Sequence, residues 1–474
     1  RTVHSSHTTP AARPRQRLKR RHAVLANRGN KDLMGTRRSL HLGTFVLKTL
    51  LLLFNGVCGT HCSVVDGNTT DQLSLLDFKK AITDDPTGAL SNWNDNVHHC
   101  MWSGVNCSTR HPGRVTVLRL YGLNLAGEIT PSIGNLTFLR KLSLDFNRFS
   151  GQLPPLNRLR KLVSLSITFN SLESNILDAV IALENCSKIK LLDLSGNMLV
   201  GSIPRNIGSL SNIRVISLLA NNLTGTIPPT FSNMTCLESI ELGDNHLEGS
   251  IPEELGQLPN MMQVILYGNR LSGRIPATLF NLSQLFYLEL SMNMFSGTVP
   301  SYIGDTLPSL EYLYLGTNKL EGHIPDSLGN ASELGALDLG SNYFTGTIPS
   351  FLGKLHKLGY LNLDKNKLEA RTSQSRDFLS ALSNCSNLGT LSLYGNQLHG
   401  VLPNSVGNLS TTLGRLDLGG NYLSGTVPQS IGVLKNLDYL HLGGNNFVGT
   451  IPDSIGNLAS LTKLYLSDNQ FDDW

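Results

Sequence analysis

The segment LESIELGDNHLEGSIPEELGQLPN (Leu237–Asn260) decides the fold of this chain, because variants of it follow one another through most of the sequence. Each copy has the frame L-x-x-L-x-L-x-x-N-x-L/F, and most copies continue with G-x-I/V/L-P and an apolar run. The commonest interval between successive copies is 24 residues, and such self-similarity predicts a stacked solenoid. The asparagines of the series are Asn147, Asn170, Asn197, Asn221, Asn245, Asn269, Asn293, Asn318, Asn342, Asn366, Asn396, Asn421, Asn445 and Asn469.

The L-x-L core of each copy alternates apolar and open positions, which is the period of a β-strand. Copies stacked in register give one parallel strand per repeat, with neighbouring strands roughly 4.8 Å apart. The leucines need a neighbouring repeat to bury them. The asparagine follows the strand where the chain turns, so we expect its amide to pair with backbone groups that the turn leaves without partners.

This frame resembles the plant-type leucine-rich repeat, over about residues 115–471. The resemblance implies an α/β solenoid, a superhelix with one parallel strand per repeat on its concave face. Irregular and 3-10 turns are expected on the convex face, and a helical cap at the N-terminal end. We assign residues 113–474 to about fifteen repeats, the last of them truncated. The units at Asn170 and Asn366 lack G-x-I-P and are longer; we interpret their extra residues as neutral loop or, alternatively, as a bulge on a binding face.

The sequence before the repeats predicts a secreted product. Met34 opens a stretch with Arg37 and Arg38, an apolar run and then small residues, which is typical of a signal peptide over residues 34–59. A transmembrane span is the alternative, although the apolar run is short for one. Residues 1–33 are interpreted as upstream sequence translated in error or a mis-set start.

Charge and motifs exclude several functions. Without residues 1–59 the net charge changes from +4 to −7, since 27 basic and 34 acidic residues remain. Nucleic acid is therefore not expected as a partner. The sequence contains no G-x-S-x-G, H-E-x-x-H, phosphate-binding glycine loop or kinase H-R-D and D-F-G motif. We accordingly predict no enzymatic activity and no cofactor for this chain.

Residues 68–112 are predicted to cap the first repeat, whose apolar side would otherwise be bare. In a secreted chain the close pair Cys100 and Cys107 predicts a disulfide, and a metal site with His98 and His99 is the alternative. The segment Cys100–Cys107 (C-x-W-x-G-V-x-C) resembles the N-terminal cap of plant leucine-rich-repeat receptors. A short amphipathic helix is indicated by Leu73, Leu75, Leu76, Phe78 and Ile82. Three further cysteines, too far apart to pair, are predicted to be free and buried: Cys186, Cys236 and Cys385.

Ten N-x-S/T sequons are candidate N-glycosylation sites. We expect glycans at these sites to shield other faces and to leave the concave sheet as the contact surface. The sequons begin at Asn68, Asn106, Asn135, Asn185, Asn222, Asn233, Asn281, Asn330, Asn384 and Asn408.

Three positions in each strand flank the inner leucines and face the predicted concave side. Nine of the twelve tyrosines occupy such positions, and five strands carry a carboxylate at the central one. Tyrosine suits strands in general, but it also supplies large contact area at low entropic cost. We therefore predict a ligand-binding surface made of Tyr267, Tyr287, Glu289, Tyr312, Tyr314, Asp338, Tyr360, Tyr394, Tyr439, His441 and Tyr465.

The repeat frame, the cap motif and the insert FLSALSNCSNL (Phe378–Leu388) together are similar to the ectodomain of a plant leucine-rich-repeat receptor-like kinase. The similarity is greatest to the subfamily that senses bacterial proteins or peptides. It implies a peptide or protein ligand, a co-receptor kinase, a place outside the plasma membrane, and attachment to the membrane through a segment missing from this chain. The alternative is a secreted or kinase-less protein acting as a decoy, a receptor-like protein or an inhibitor of a pathogen enzyme. A pseudogene remnant is a third interpretation.

Overall fold

The computed structural model describes residues 69–371 and 378–472. The predicted upstream segment, the predicted signal peptide and the sequon at Asn68 lie outside the described residues. So do residues 372–377 of the insert in the longest repeat.

A sheet of 16 strands, here called the principal sheet, runs through the repeats. Its first strand, Val105–Cys107, belongs to the cap and is antiparallel to the second. The other strands are parallel and in register, so that Leu288 lies opposite Leu313. The prediction of one parallel strand per repeat is therefore confirmed. These strands are Val115–Arg119, Lys141–Ser143, Ser164–Ser166, Leu191–Asp193, Val215–Ser217, Ser239–Glu241, Gln263–Ile265, Tyr287–Glu289, Tyr312–Tyr314, Ala336–Asp338, Tyr360–Asn362, Thr390–Ser392, Arg415–Asp417, Tyr439–His441 and Lys463–Tyr465.

A second set of strands lies mostly just after the asparagine of each repeat, where irregular chain was predicted. Its first strand, Ile82–Asp84, belongs to the cap and is antiparallel to its neighbour. These strands form one sheet of 4 and one of 12, here called the second sheets. Stacking brings equivalent segments to strand spacing, where their backbone groups can pair without apolar alternation. The strands are Ile82–Asp84, Ala126–Glu128, Arg148–Gly151, Ser171–Leu172, Val200–Ser202, Asn222–Gly225, His246–Gly249, Arg270–Arg274, Met294–Thr298, Lys319–His323, Tyr343–Thr347, Lys367–Ala370, Gln397–Val401, Tyr422–Gly425, Asn446–Gly449 and Gln470–Phe471.

Short helices complete the repeats and confirm the predicted 3-10 turns. The helices Ile176–Ile181 and Phe378–Leu382 lie in the two longer repeats, in place of a 3-10 turn, and the remaining α-helices are Thr69–Lys80 and Ile303–Thr306. The 3-10 helices are His99–Met101, Pro131–Asn135, Arg205–Ser209, Pro229–Asn233, Glu253–Gln257, Ala277–Asn281, Asp326–Asn330, Ser350–Lys354, Asn404–Asn408, Gln429–Val433 and Asp453–Asn457.

The cap is helical and closes the first repeats, as predicted, but its buried helix face is narrower than expected. Leu75 and Phe78 are fully buried, and the Phe78 ring lies 5.8 Å from that of Phe149 in the repeats. Leu73, by contrast, is 64% exposed, and Ile82 lies in a strand beyond the helix. The prediction that both belong to the apolar face of the helix is wrong.

The cysteines divide into one bridge and three free thiols. Cys100 and Cys107 form a disulfide with Cα atoms 5.5 Å apart, so the alternative metal site loses its sulfur ligands. His99 instead places Nε2 2.7 Å from the carbonyl oxygen of Gly113. Cys186 and Cys385 are free and buried as predicted. Cys236 is free but only half-buried, which corrects the prediction, because its side chain lies closer to the surface.

The asparagines of the repeat join neighbouring turns of the solenoid. Asn293 Nδ2 donates to the carbonyl oxygens of Leu266 at 3.0 Å and Leu290 at 3.2 Å. Its Oδ1 accepts from the backbone N–H of Leu271 at 3.0 Å. Equivalent bonds to the preceding repeat, one donated by Nδ2 and one accepted by Oδ1, occur at all fourteen asparagines of the series, from Asn147 to Asn469. The expectation that this side chain pairs backbone groups at the turn is confirmed.

Candidate functional site

The surface of the principal sheet that faces away from the leucine core is here called the open face. Alternate residues of a strand point to opposite sides, so the first and third residues of each three-residue strand lie on the open face. The second residue after the strand adds a further position. In one repeat these are Tyr312, Tyr314 and Gly316, whereas Leu313 is fully buried. All eleven predicted ligand-binding residues occupy such positions.

Three of the predicted tyrosines form a first aromatic cluster: Tyr287, Tyr312 and Tyr314. The ring of Tyr287 lies 5.2 Å from that of Tyr312 and 5.9 Å from that of Tyr314. In-register pairing of two adjacent strands brings these rings together. Tyr287 is buried, while the other two rings are half-buried and offer one side to a partner.

A second aromatic cluster lies nearer the C-terminal end and consists of Tyr394, Tyr439, His441 and Tyr465. The imidazole of His441 stacks on Tyr394 at 5.4 Å and meets the edge of Tyr465 at 5.1 Å. The rings of Tyr439 and Tyr465 are 5.4 Å apart. Tyr465 belongs to the last strand of the principal sheet, Lys463–Tyr465, and is 44% exposed.

The Asp417 carboxylate and the Arg415 guanidinium form an ion pair next to the second aromatic cluster, and Asp417 also lies beside His441. Asp417 is 1% exposed and its Oδ2 lies 2.8 Å from Arg415 Nη2. The other oxygen, Oδ1, lies 2.9 Å from His441 Nδ1. The Arg415 guanidinium in turn lies 3.6 Å from the ring centre of Tyr439. Arg415 was not among the predicted site residues, although its place at the start of a strand marks it as an open-face position.

The hydroxyls of Tyr312 and Tyr439 on the open face are neutral donors at any physiological pH. Burial raises the pKa of Tyr439 to about 12, and the nearby Asp417 carboxylate adds to that shift. Burial also raises the pKa of Tyr312. The clusters can therefore contact apolar groups with their rings and donate hydrogen bonds with their hydroxyls.

The two predicted carboxylates, Glu289 and Asp338, occupy open-face positions but are each only 2% exposed. Asp338 Oδ1 accepts from the backbone N–H of Gly340 at 3.0 Å and from Asn362 Nδ2 at 2.9 Å. Glu289 Oε1 accepts from the N–H of Ser291 at 3.0 Å. We expect these carboxylates to fix neighbouring side chains rather than to touch a ligand.

Glycines after the strands make room for these side chains. A Cβ added to Gly419 would lie 2.5 Å from Cε1 of His441. A Cβ at Gly316 would lie 2.7 Å from Oδ1 of Asp338. The side chains therefore rest on the glycine backbone of the preceding repeat, an arrangement that a larger residue would disrupt.

Two further carboxyl groups on the open face, those of Asp193 and Asp364, have raised pKa values. Burial raises the pKa of Asp193 to about 7, with a contribution from the nearby Glu241 carboxylate. Burial likewise raises the pKa of Asp364 to about 7, against the opposing effect of the hydrogen bond from Ser392. Asp364 Oδ1 accepts from Ser392 Oγ at 2.7 Å and from the N–H of Tyr394 at 2.9 Å.

We expect the folded protein to lose stability as the pH rises from about 4 to about 7. The folded protein binds a proton at Asp364 more tightly than the unfolded chain does. Protonation of Asp364 therefore stabilises the fold fully at low pH, and this stabilisation is lost as the pH rises through the pKa of Asp364 in the folded protein. Between pH 5 and pH 7.5 the contribution of Asp364 to the free energy of unfolding falls by on the order of 2 kcal/mol. Urea unfolding at both pH values should therefore show a smaller difference for Asp364→Asn than for the parent. Asp326→Asn, at an exposed aspartate, is the control. An equal change in the free energy of unfolding between the two pH values for all three proteins would contradict the raised pKa of Asp364.

The described sequons fall into three places. Seven lie near the end of the helix or turn that precedes a principal strand: Asn135, Asn185, Asn233, Asn281, Asn330, Asn384 and Asn408. Asn222 begins a strand of the second sheets. Asn106 is exposed and lies opposite Val117 in the principal sheet, so both side chains lie on the open face. A glycan at Asn106 would therefore lie on the open face.

Comparison with known proteins identifies the family. A model described as the leucine rich repeat N-terminal domain matches residues 68–108, and leucine rich repeat models match residues 411–471 and six segments between residues 188 and 409. The plant peptide hormone receptor RGFR1, solved in complex with RGF2, is 30% identical, with a TM-score of 0.60 over 78% of this chain and 72% of that one. The chain belongs to the plant leucine-rich-repeat receptor family.

Two further relatives show the extent of the match. The Arabidopsis receptor kinase HAESA, solved with the peptide hormone IDA and the co-receptor SERK1, is 26% identical, with a TM-score of 0.57 over 85% of this chain and 82% of that chain. Receptor kinase-like protein Xa21 of Oryza sativa subsp. japonica is 45% identical over 86 residues, or 17% of this chain. The matched part spans only 8% of the length of Xa21 and of each of two other curated relatives.

The described residues contain no helix with the length and hydrophobicity that crossing a bilayer requires.

Proposed function

We propose that this chain is the ligand-recognition region of a plant receptor-like kinase and that it binds a peptide or an extended protein segment on the open face. The observation that carries the proposal is the pair of aromatic clusters, at Tyr287–Tyr314 and at Tyr394–Tyr465, on one side of one sheet. Buried aromatic side chains with a polar tip dominate the energetics of protein interfaces.

The spacing of the two clusters favours an extended ligand. Seven strand intervals separate Tyr287 from Tyr465, which corresponds to roughly 34 Å along the sheet. An extended peptide of about ten residues covers that distance. Solved relatives with peptide hormones bound, the RGFR1 and HAESA complexes, support a peptide as the ligand class.

The proposed setting follows from the family. The ligand would be recognised outside the cell, a pathogen-derived peptide being one source. A co-receptor kinase is proposed as a second partner because the HAESA complex contains one. Membrane attachment and kinase activity would belong to parts of the protein outside this sequence.

The proposal can be tested with a ligand selected in the laboratory. We would pan a library of random 12-residue peptides on the folded protein and measure the affinity of the selected peptide. Gly419→Ala forces the His441 imidazole away from Tyr394 and Asp417, so we expect affinity to fall about tenfold with little change in stability. Gly335→Ala is the matched control, because its added Cβ would meet only backbone oxygens at 3.7 Å. Equal affinity for both variants would argue against the proposed surface.

A further inference from the structure

A cluster of cations, here called the basic edge, lies in the segments that lead into three consecutive principal strands. In the part of the chain that the structure describes, no carboxylate lies within ion-pair distance of its members. Ion pairs are found on either side of the basic edge, between Arg114 and Asp71 and between Arg214 and Glu238. The members of the basic edge are Arg140, Arg158, Arg160, Lys161, Lys188 and Lys190.

A surface groove of about 570 Å³ lies within the basic edge. Its lining alternates cations with neutral hydrogen-bonding groups. The cations are Arg158, Arg160 and Lys161, and the neutral groups are the hydroxyl of Thr137 and the amide of Asn157. Asn185, a candidate glycosylation site, also lines the groove, so the protein for the test is produced without N-glycans.

Two of the cations are held in place by neighbouring repeats. Lys161 Nζ lies 3.2 Å from the centre of the Phe138 ring, which Arg114 also contacts at 4.2 Å. Arg158 Nη1 donates to Asn135 Oδ1 at 3.0 Å. Side chains held in this way lose less conformational freedom when an anion binds.

We propose that the basic edge binds an acidic oligosaccharide, a chain of sugars that carry carboxylates. Guanidinium groups bind carboxylates through two parallel hydrogen bonds, and the hydroxyl and amide groups match the hydroxyls of sugars. A phospholipid surface attracts clustered cations by charge, and exposed apolar side chains that insert into it strengthen the contact. The one aromatic ring in this lining, Phe138, is covered by Lys161, so the groove favours a single saccharide chain.

This site is separate from the open face and does not depend on the proposed peptide function. The test measures binding of an oligogalacturonate of about ten sugars by titration calorimetry at roughly 0.1 M salt. The test variant is Arg158→Gln/Arg160→Gln/Lys161→Gln. The control variant, Arg270→Gln/Arg274→Gln/Lys319→Gln, removes the same charge from exposed positions on a second sheet.

We expect the parent and the control variant to bind alike and the test variant to bind at least about tenfold more weakly. The methyl-esterified saccharide should also bind at least about tenfold more weakly, because it lacks the carboxylates. Arg160→Gln alone should weaken binding about threefold, which keeps the test decisive if the triple variant does not fold. Equal loss in both triple variants, equal binding of the esterified form, or binding of phosphatidylserine vesicles in place of the saccharide would overturn the proposal.

Discussion

Replacing Asn293 with alanine should destabilise the protein by about 4 kcal/mol, because several buried backbone groups lose their hydrogen-bond partners together. The side chain is 9% exposed and pairs with three carbonyl oxygens, those of Leu266, Leu290 and Ser291. It also accepts from the N–H of Leu271. Leaving a buried backbone group unpaired costs roughly 1–3 kcal/mol, and water can reach only some of these groups.

Asn260→Ala is the matched control for this change. Asn260 is exposed and makes a single bond to the carbonyl oxygen of Thr235 at 3.0 Å, so its loss should cost less than about 1 kcal/mol. Urea unfolding gives the free-energy differences, and hydrogen exchange at the Leu271 amide reports the local effect. Equal destabilisation by the two substitutions would mean that the asparagine ladder is not what ties the repeats together.

Removing three tyrosines of the open face should lower the affinity for a selected peptide about a hundredfold, since aromatic hot spots commonly contribute 2 kcal/mol or more each. The variant is Tyr312→Ala/Tyr314→Ala/Tyr360→Ala. All three side chains are half-buried at open-face positions, and two belong to the first aromatic cluster. Their loss removes both the ring contacts and the neutral hydroxyl donors.

The control removes the same number of tyrosines from other surfaces. Tyr302, Tyr343 and Tyr422 are 39%, 49% and 51% exposed and lie outside the principal sheet. Their replacement by alanine should leave the affinity within about twofold of the parent. The proposed surface is wrong if this control loses as much affinity as the open-face variant, provided that both proteins remain folded by circular dichroism.

The fold could be predicted from the sequence because the solenoid repeats one local pattern. The apolar pattern of each L-x-L core indicates which of its residues are buried. Each asparagine, such as Asn293, makes its hydrogen bonds within its own repeat and the repeat before it. The second sheets escaped prediction because a strand such as Lys319–His323 forms through its neighbours' backbone and not through an apolar alternation of its own.

The candidate site was predictable in position but not in detail. The frame places Glu289 and Asp338 on the open face, yet their burial depends on groups supplied by adjoining residues and repeats, such as Asn362. The contact between Tyr394 and His441 was also not predicted, because it depends on the stacking of their two strands with an intervening repeat between them. Arg415 was missed because the prediction rested on tyrosines and carboxylates and did not include arginines or lysines at the same positions.

Hydroxyl-radical footprinting of the tyrosines, with and without the selected peptide, shows which surface of the protein the peptide covers. Bound peptide should protect Tyr312, Tyr314 and Tyr465 from oxidation. The exposed Tyr343 and Tyr422 on the second sheets should react equally in both samples and serve as internal controls. Protection of those two residues, with the open-face tyrosines unchanged, would contradict the account and place ligand recognition on another surface.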